Sequence, residues 1–115
     1  MENVNIPEGK ALLYVVRPEF MGKLIKIKVF SGEDLLGYTK GRNYFHTFLE
    51  PGKHNFISKA ENKGKLDLEI EAGKTYYIKQ KIGMGFLKVR NKLLQLEQKE
   101  AEREMTKCKP SSSMG

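Results

Sequence analysis

A chain of 115 residues, 39% apolar and 30% charged, is long enough for one domain with a modest core. Its formal charge of +7 makes anionic partners conceivable, and no run of about 18 apolar residues is present to span a membrane. One cysteine, Cys108, excludes an internal disulfide framework and a cysteine-based structural zinc site.

Four of the 21 basic residues are Arg (Arg17, Arg42, Arg90 and Arg103) and the rest are Lys. Lysine commonly serves as solubilising surface charge, whereas phosphate and nucleic-acid readers lean on forked arginine bonds, which argues against a nucleic-acid partner. Residues 1–9 are a polar lead-in without the basic, apolar and small-residue pattern of an export signal. A cytoplasmic protein and one whose signal has been removed both fit.

Lys10 to Arg17 carries apolar residues on both parities, which predicts a strand buried on both faces and ended by Pro18. Leu24 to Phe30 alternates, with Ile25, Ile27 and Val29 against Lys26 and Lys28. Ser31 to Asp34 reads as a turn and Leu35 to Thr39 as the returning arm of a hairpin. After a turn at Gly41 to Asn43, Tyr44 to Leu49 is an aromatic-rich strand.

Two near-copies of one phrase follow. Leu49-Glu50-Pro51-Gly52-Lys53-His54-Asn55-Phe56-Ile57 and Ile70-Glu71-Ala72-Gly73-Lys74-Thr75-Tyr76-Tyr77-Ile78 both read as strand, glycine-centred turn, strand. The expectation is two hairpins, Tyr44 to Leu49 with Lys53 to Ala60, and Lys65 to Glu71 with Lys74 to Ile82. Gly83-Met84-Gly85 breaks the second, Phe86 to Val89 is a short strand, Asn91-Lys92 a turn and Leu93 to Leu96 a last strand. From Glu97 the period changes. Ala101, Met105 and Cys108 share one side of a helix over 97–109, with Glu residues early, Lys107 and Lys109 late, and Pro110 as its stop. The helix could cover a sheet edge or exchange between two chains. Residues 110–115 read as a disordered tail. Seven to nine short strands and one C-terminal helix, with residues 10–96 and 97–109 in a single domain, predict an antiparallel β-sandwich.

Lys10-Ala11-Leu12-Leu13-Tyr14-Val15-Val16-Arg17-Pro18 resembles the opening strand of the bacterial family called domain of unknown function 2846. Pro51-Gly52-Lys53-His54 resembles its central turn, Gly73-Lys74-Thr75-Tyr76-Tyr77 its next turn, and the Glu-rich helix ending in Lys107-Cys108-Lys109 its closing segment, over roughly residues 8–109. The resemblance implies a small prealbumin-like or PEGA-like β-sandwich of the cell envelope or periplasm, where many members carry signal peptides or lipoprotein signals. A lipobox cysteine is missing here, so membrane association would need an anchor outside this chain. The family brings no activity, and hence no catalytic residues.

His46 and His54 are the two histidines. Counted outward from a hairpin centre near residue 50 they become cross-strand neighbours, and with Glu50 they make a weak metal or acid–base candidate. Tyr76 and Tyr77 face opposite ways, and an exposed one beside Lys79 and Lys81 would make a stacking platform for a sugar or base. Lys26, Lys28, Lys79, Lys81 and Lys88 would line one basic sheet face if their strands are neighbours. No Walker loop, nucleophile elbow or zinc helix is present, so neither an enzyme nor a cofactor is expected. The expected function is a non-enzymatic envelope module that binds a protein or polysaccharide through a sheet face or the loops at one end, with Tyr44, Phe45, Phe48 and the Tyr76-Tyr77 pair as the first candidates, or that serves as a structural accessory. The alternative is an electrostatic binder of anionic lipid or nucleic acid.

Overall fold

The computed structural model describes residues 4–20, 24–60, 62–84 and 89–111. Among them are nine strands and one helix: β1 Ala11–Arg17, β2 Ile27–Ser31, β3 Asp34–Thr39, β4 Asn43–Leu49, β5 Gly52–Lys59, β6 Lys63–Ile70, β7 Thr75–Met84, β8 Val89–Leu96, α1 Gln98–Met105 and β9 Lys109–Pro110. They form a sandwich of a five-stranded sheet, ordered β8-β7-β1-β4-β9, and a four-stranded sheet, ordered β3-β2-β5-β6. The pairings are antiparallel except β1 with β7 and β4 with β9.

The pleat of β1 explains its apolar run. Ala11, Leu13 and Val15 point into the core between the sheets, where they meet Phe45, Ile78 and Leu93 of their own sheet and Val29, Phe56 and Ile70 of the other. Leu12, Tyr14 and Val16 point outward, yet they too are buried, beneath Ala101 and Met105 of α1 and beside Val4 and Ile6. The helix therefore covers the face of the five-stranded sheet. A buried polar chain also ties the layers: Thr39 Oγ1 donates to Gln80 Oε1, and Gln80 Nε2 donates to Ser58 Oγ at 2.6 Å.

The two repeated phrases are not hairpins. β4 pairs with β1 and β9, and β5 with β2 and β6, so Pro51-Gly52 carries the chain from one sheet to the other. Ala72-Gly73 does the same between β6 and β7. Both phrases are arches over one end of the core. In each, a buried residue plugs the core (Leu49, Ile70), the chain crosses, and a glycine at positive φ (124° at Gly52, 80° at Gly73) redirects it. The arches lie side by side: Gly52 pairs with Ile70, and Gly73 N donates to Lys10 O at 2.8 Å. One corner problem, solved twice by neighbours, accounts for the repeat.

Three further differences lie near the C-terminus. β7 continues through Gly83 to Met84, and Asn91-Lys92 sits inside β8, where Lys92 pairs with Lys81. The expected strand from Phe86 lies outside the described residues up to Val89, as do Gly85, Lys88 and tail residues 112–115. The helix stops at Met105, and Pro110 belongs to β9 rather than ending α1. Lys109 N donates to Arg42 O at 2.9 Å and Ser111 N to Tyr44 O at 2.7 Å. Pro110, with no N–H to give, occupies the alternate position between these donors, which an edge strand tolerates.

Candidate functional site

On the outer face of the four-stranded sheet the register sets lysine opposite lysine. Lys28 of β2 pairs with Lys59 of β5, and Lys59 with Lys63 of β6. Alternation aims all three at solvent, because Ile27, Val29, Ser58 and Gly64 take the buried parity. Like charges directly opposite one another destabilise a sheet. Aromatic rings floor the row: Lys59 Nζ lies 4.4 Å from the Phe30 ring centroid, and Lys26 Nζ lies 4.9 Å from that of Tyr38, the residue opposite Lys28.

At the β6 edge the row meets a groove of about 470 Å³ between the two sheets, lined by Asn62, Lys63, Lys65, Lys81, Asn91 and Lys92. A reciprocal clamp closes its floor. Asn91 N donates to Asn62 Oδ1 at 2.8 Å, and Asn62 Nδ2 donates to Asn91 O at 3.0 Å. Gly64 allows this approach, since a Cβ there would stand 3.0 Å from Asn91 Oδ1 and 3.1 Å from Lys92 Cα. Lys81 directly opposite Lys92 is a third like-charged pair. Among the described residues, no carboxylate lies within ion-pair distance of Lys28, Lys59, Lys63, Lys65, Lys81 or Lys92.

Carboxylates gather at the other end of the strands. Glu33 occupies the β2–β3 turn and Asp34 the first position of β3, Glu50 and Glu71 the arches, and Glu97 and Glu100 the start of α1. Two of these are paired there, Glu50 with Lys10 and Glu71 with Lys74, so that end carries mixed charge while the lysine row and groove carry cations.

The structure scatters the other residues expected at a site. His46 projects from the outer face of the five-stranded sheet, 5.7 Å from the Tyr14 ring and 6.0 Å from Phe48. His54 sits under the first arch, in the other sheet. The two are not cross-strand neighbours, because the chain changes sheets between them. His54 Nε2 donates to Glu50 O at 2.7 Å, which leaves Nδ1 to accept from Ser31 Oγ at 2.6 Å, and its ring stacks on Phe56. Both ring nitrogens are engaged in tying the arch to β2.

Phe45 is core, and Tyr44 packs half-buried against the residues under α1. Tyr77 is buried there, stacked on Tyr14 at 5.5 Å. Burial pushes its pKa above the ordinary phenol value, with Glu102 and Tyr14 adding to the shift. Tyr76 is half-buried on the core side, and its hydroxyl accepts from Glu71 N at 2.9 Å. Neither tyrosine is an exposed platform. Lys79 is half-buried with Glu19 Oε2 at 3.6 Å and Glu104 Oε2 at 3.8 Å, so its charge is neutralised. Lys79 and Lys81 belong to β7 of the five-stranded sheet, Lys28 to β2 of the four-stranded sheet and Lys26 to the residues just before it, so the four do not form one face. Of the four, Lys81 alone lines the groove at the β6 edge.

Lys59, Lys63, Lys65 and Lys92 were the missed members of this constellation. The first three were legible: Leu66, Leu68 and Ile70 fix the inward parity of β6, and the opposite parity extended backward gives Lys65 and Lys63, while Phe56 and Ser58 on the inward parity of β5 leave Lys59 outward. Lys92 carried no such signal, because β8 read as two pieces.

A family model described as Protein of unknown function (DUF2846) matches residues 7–92. The matched range stops within β8, so α1 lies beyond it. The chain is 25% identical over 101 residues to an uncharacterised protein of Haemophilus influenzae, an alignment covering 87% of this chain. The chain spans 60% of that relative's length. No solved structure matches it.

Proposed function

The chain belongs to the family of proteins of unknown function DUF2846, and from that premise we propose that it is a non-enzymatic envelope module binding an anionic polysaccharide. The binding surface is the lysine row of the four-stranded sheet together with the groove at its β6 edge. One observation carries this reading. Lysine stands opposite lysine three times, at Lys28 and Lys59, Lys59 and Lys63, and Lys81 and Lys92, with no carboxylate of the described residues between them. Such pairs oppose folding, and a polyanion laid along them relieves the repulsion. The Phe30 and Tyr38 rings beneath the ammonium groups add apolar floor for sugar faces. The envelope location rests on the family resemblance, and the non-enzymatic role on a histidine, His54, committed to structural bonds.

Retention on polygalacturonate against neutral dextran tests this. Retention on the acidic polymer alone, falling steeply as salt rises, is expected. Lys59→Glu combined with Lys63→Glu should abolish it. Equal retention on dextran, or salt-insensitive binding, would sink the proposal. Fractionation of cells expressing the native gene checks the location.

A further inference from the structure

Five large apolar side chains are exposed among the described residues, and three of them, Phe20, Leu24 and Ile25, belong to the one connection between β1 and β2. Leu24 is 77% exposed and Ile25 44%. The described parts of this connection, residues 18–20 and 24–26, are at the basic end of the sandwich. Lys26 and Lys28 follow it directly, and Arg42 lies over the Phe20 ring at 4.9 Å to the centroid. The tip is also held. Arg17, fully buried at the end of β1, donates from Nη1 to Ile25 O at 2.5 Å and to Thr39 O at 2.9 Å. One guanidinium thereby fixes the backbone under Ile25 to the end of β3.

We propose that this end of the sandwich docks on an anionic bilayer surface, with Leu24 and Ile25 entering the headgroup–acyl boundary and Lys26, Lys28, Lys40 and Arg42 meeting lipid phosphates. Charge complementarity selects the occupant: Lys26, Lys28, Lys40 and Arg42 lie at the end that holds Leu24 and Ile25, Glu19 of the same connection is taken up by Lys79, and the carboxylates of Glu33, Asp34, Glu50 and Glu71 lie at the far end of the strands. A soluble polyanion would satisfy the lysines but would leave Leu24 in water, whereas a lipid surface satisfies both. This inference shares the basic end, with Lys26 and Lys28, with the polysaccharide reading, but it alone needs Leu24 and Ile25 and it does not need Lys59 or Lys63, so the two can fail separately.

The test uses the full chain and sedimentation with phosphatidylglycerol/phosphatidylcholine vesicles, against phosphatidylcholine alone. Binding to the anionic vesicles alone is expected. Leu24→Ser should weaken it about tenfold, from the apolar area no longer buried. Lys26→Gln should weaken it about fivefold. Retention of Leu24→Ser on polygalacturonate should match that of the parent chain, which separates this site from the lysine row. Three results would overturn the inference: no vesicle binding while polygalacturonate is still bound, anionic-vesicle binding unchanged by Leu24→Ser, or a dimer in solution that Leu24→Ser converts to monomer.

Discussion

The two outer faces of this sandwich are opposites. That of the five-stranded sheet is apolar and covered: Leu12, Tyr14, Val16, Tyr77 and Leu96 lie under Ala101 and Met105 of the helix. That of the four-stranded sheet is bare and basic, with Lys28, Lys59 and Lys63 in a transverse row. The pleat makes the difference. β1 has apolar residues on both parities and so needs a cover on both sides, whereas β6 has them on one and leaves the other to solvent, and the one apolar residue that β5 turns outward is the half-buried Ile57. The covered face extends the core and carries stability. The bare face is free to carry charge that folding does not need.

Truncating the cover should break this contrast most forcefully. Met105→Ala or Tyr14→Ala removes a buried side chain from the layer under the helix and should cost about 2–4 kcal/mol. Lys59→Ala on the bare face should change stability by under ~0.5 kcal/mol. Urea denaturation of the three variants decides the matter. Equal losses would mean that the bare face is structural after all.

The arches hold the two faces apart, and Gly73 is the sharper test of them. It sits at φ 80°, and a Cβ placed there would meet nothing within 4 Å, so Gly73→Ala isolates backbone strain from steric clash. A loss of about 1 kcal/mol is expected by the same denaturation, and no loss would mean that the arch relaxes freely.

These arches also mark where the sequence stopped being legible. Strand positions were readable because alternation is local: Leu66, Leu68 and Ile70 declare their face without knowing their partner. Which strand pairs with which is not local. Pro51-Gly52 turns the chain equally well into a neighbour in the same sheet or across to the facing one, and the expected meeting of His46 with His54 depended on that choice. The both-parity burial of β1 did hint that something must cover the outer face of its sheet, and the helix with Ala101 and Met105 supplies the cover. The lysine constellation was half legible for the same reason: parity showed which lysines point outward, but only the register shows that three pairs of them stand opposite one another.

Alkaline pH reaches the covered face through Cys108 and Tyr77. Burial, aided by Glu104, pushes the Cys108 thiol up to about 11 from an ordinary 9.0, and burial raises Tyr77. The folded state therefore holds these protons more tightly than the unfolded chain. Their contribution is complete below the unfolded pKa values and is lost as pH rises through the folded ones, so for Cys108 stability should decline between about pH 9.0 and 11. Cys108 is half-exposed, so its share is ~1 kcal/mol or less. Cys108→Ala should flatten the decline in that window, and an unchanged pH profile would assign it elsewhere. The same shift predicts slow reaction with Ellman's reagent at about pH 8, because the thiolate is scarce.

The smallest effect is the most diagnostic for the bare face. Lys59→Gln removes the middle charge of the row, relieving two like-charged pairs worth roughly 0.2–1 kcal/mol each. It also removes the ammonium from above the Phe30 ring, a loss of roughly 0.5–1 kcal/mol. The two nearly cancel, and what separates them is salt. Repulsion between two exposed full charges is weakened as ionic strength rises, whereas the contact of the ammonium and its stem with the ring, at 4.4 Å, includes apolar packing that salt does not screen. Lys59→Gln should therefore stabilise slightly at low salt and become neutral or slightly destabilising at high salt, while retention on polygalacturonate falls at every salt concentration. A stability change that ignores salt would show that the row is already neutralised in the free protein, and the charge contrast between the two faces would lose its physical basis.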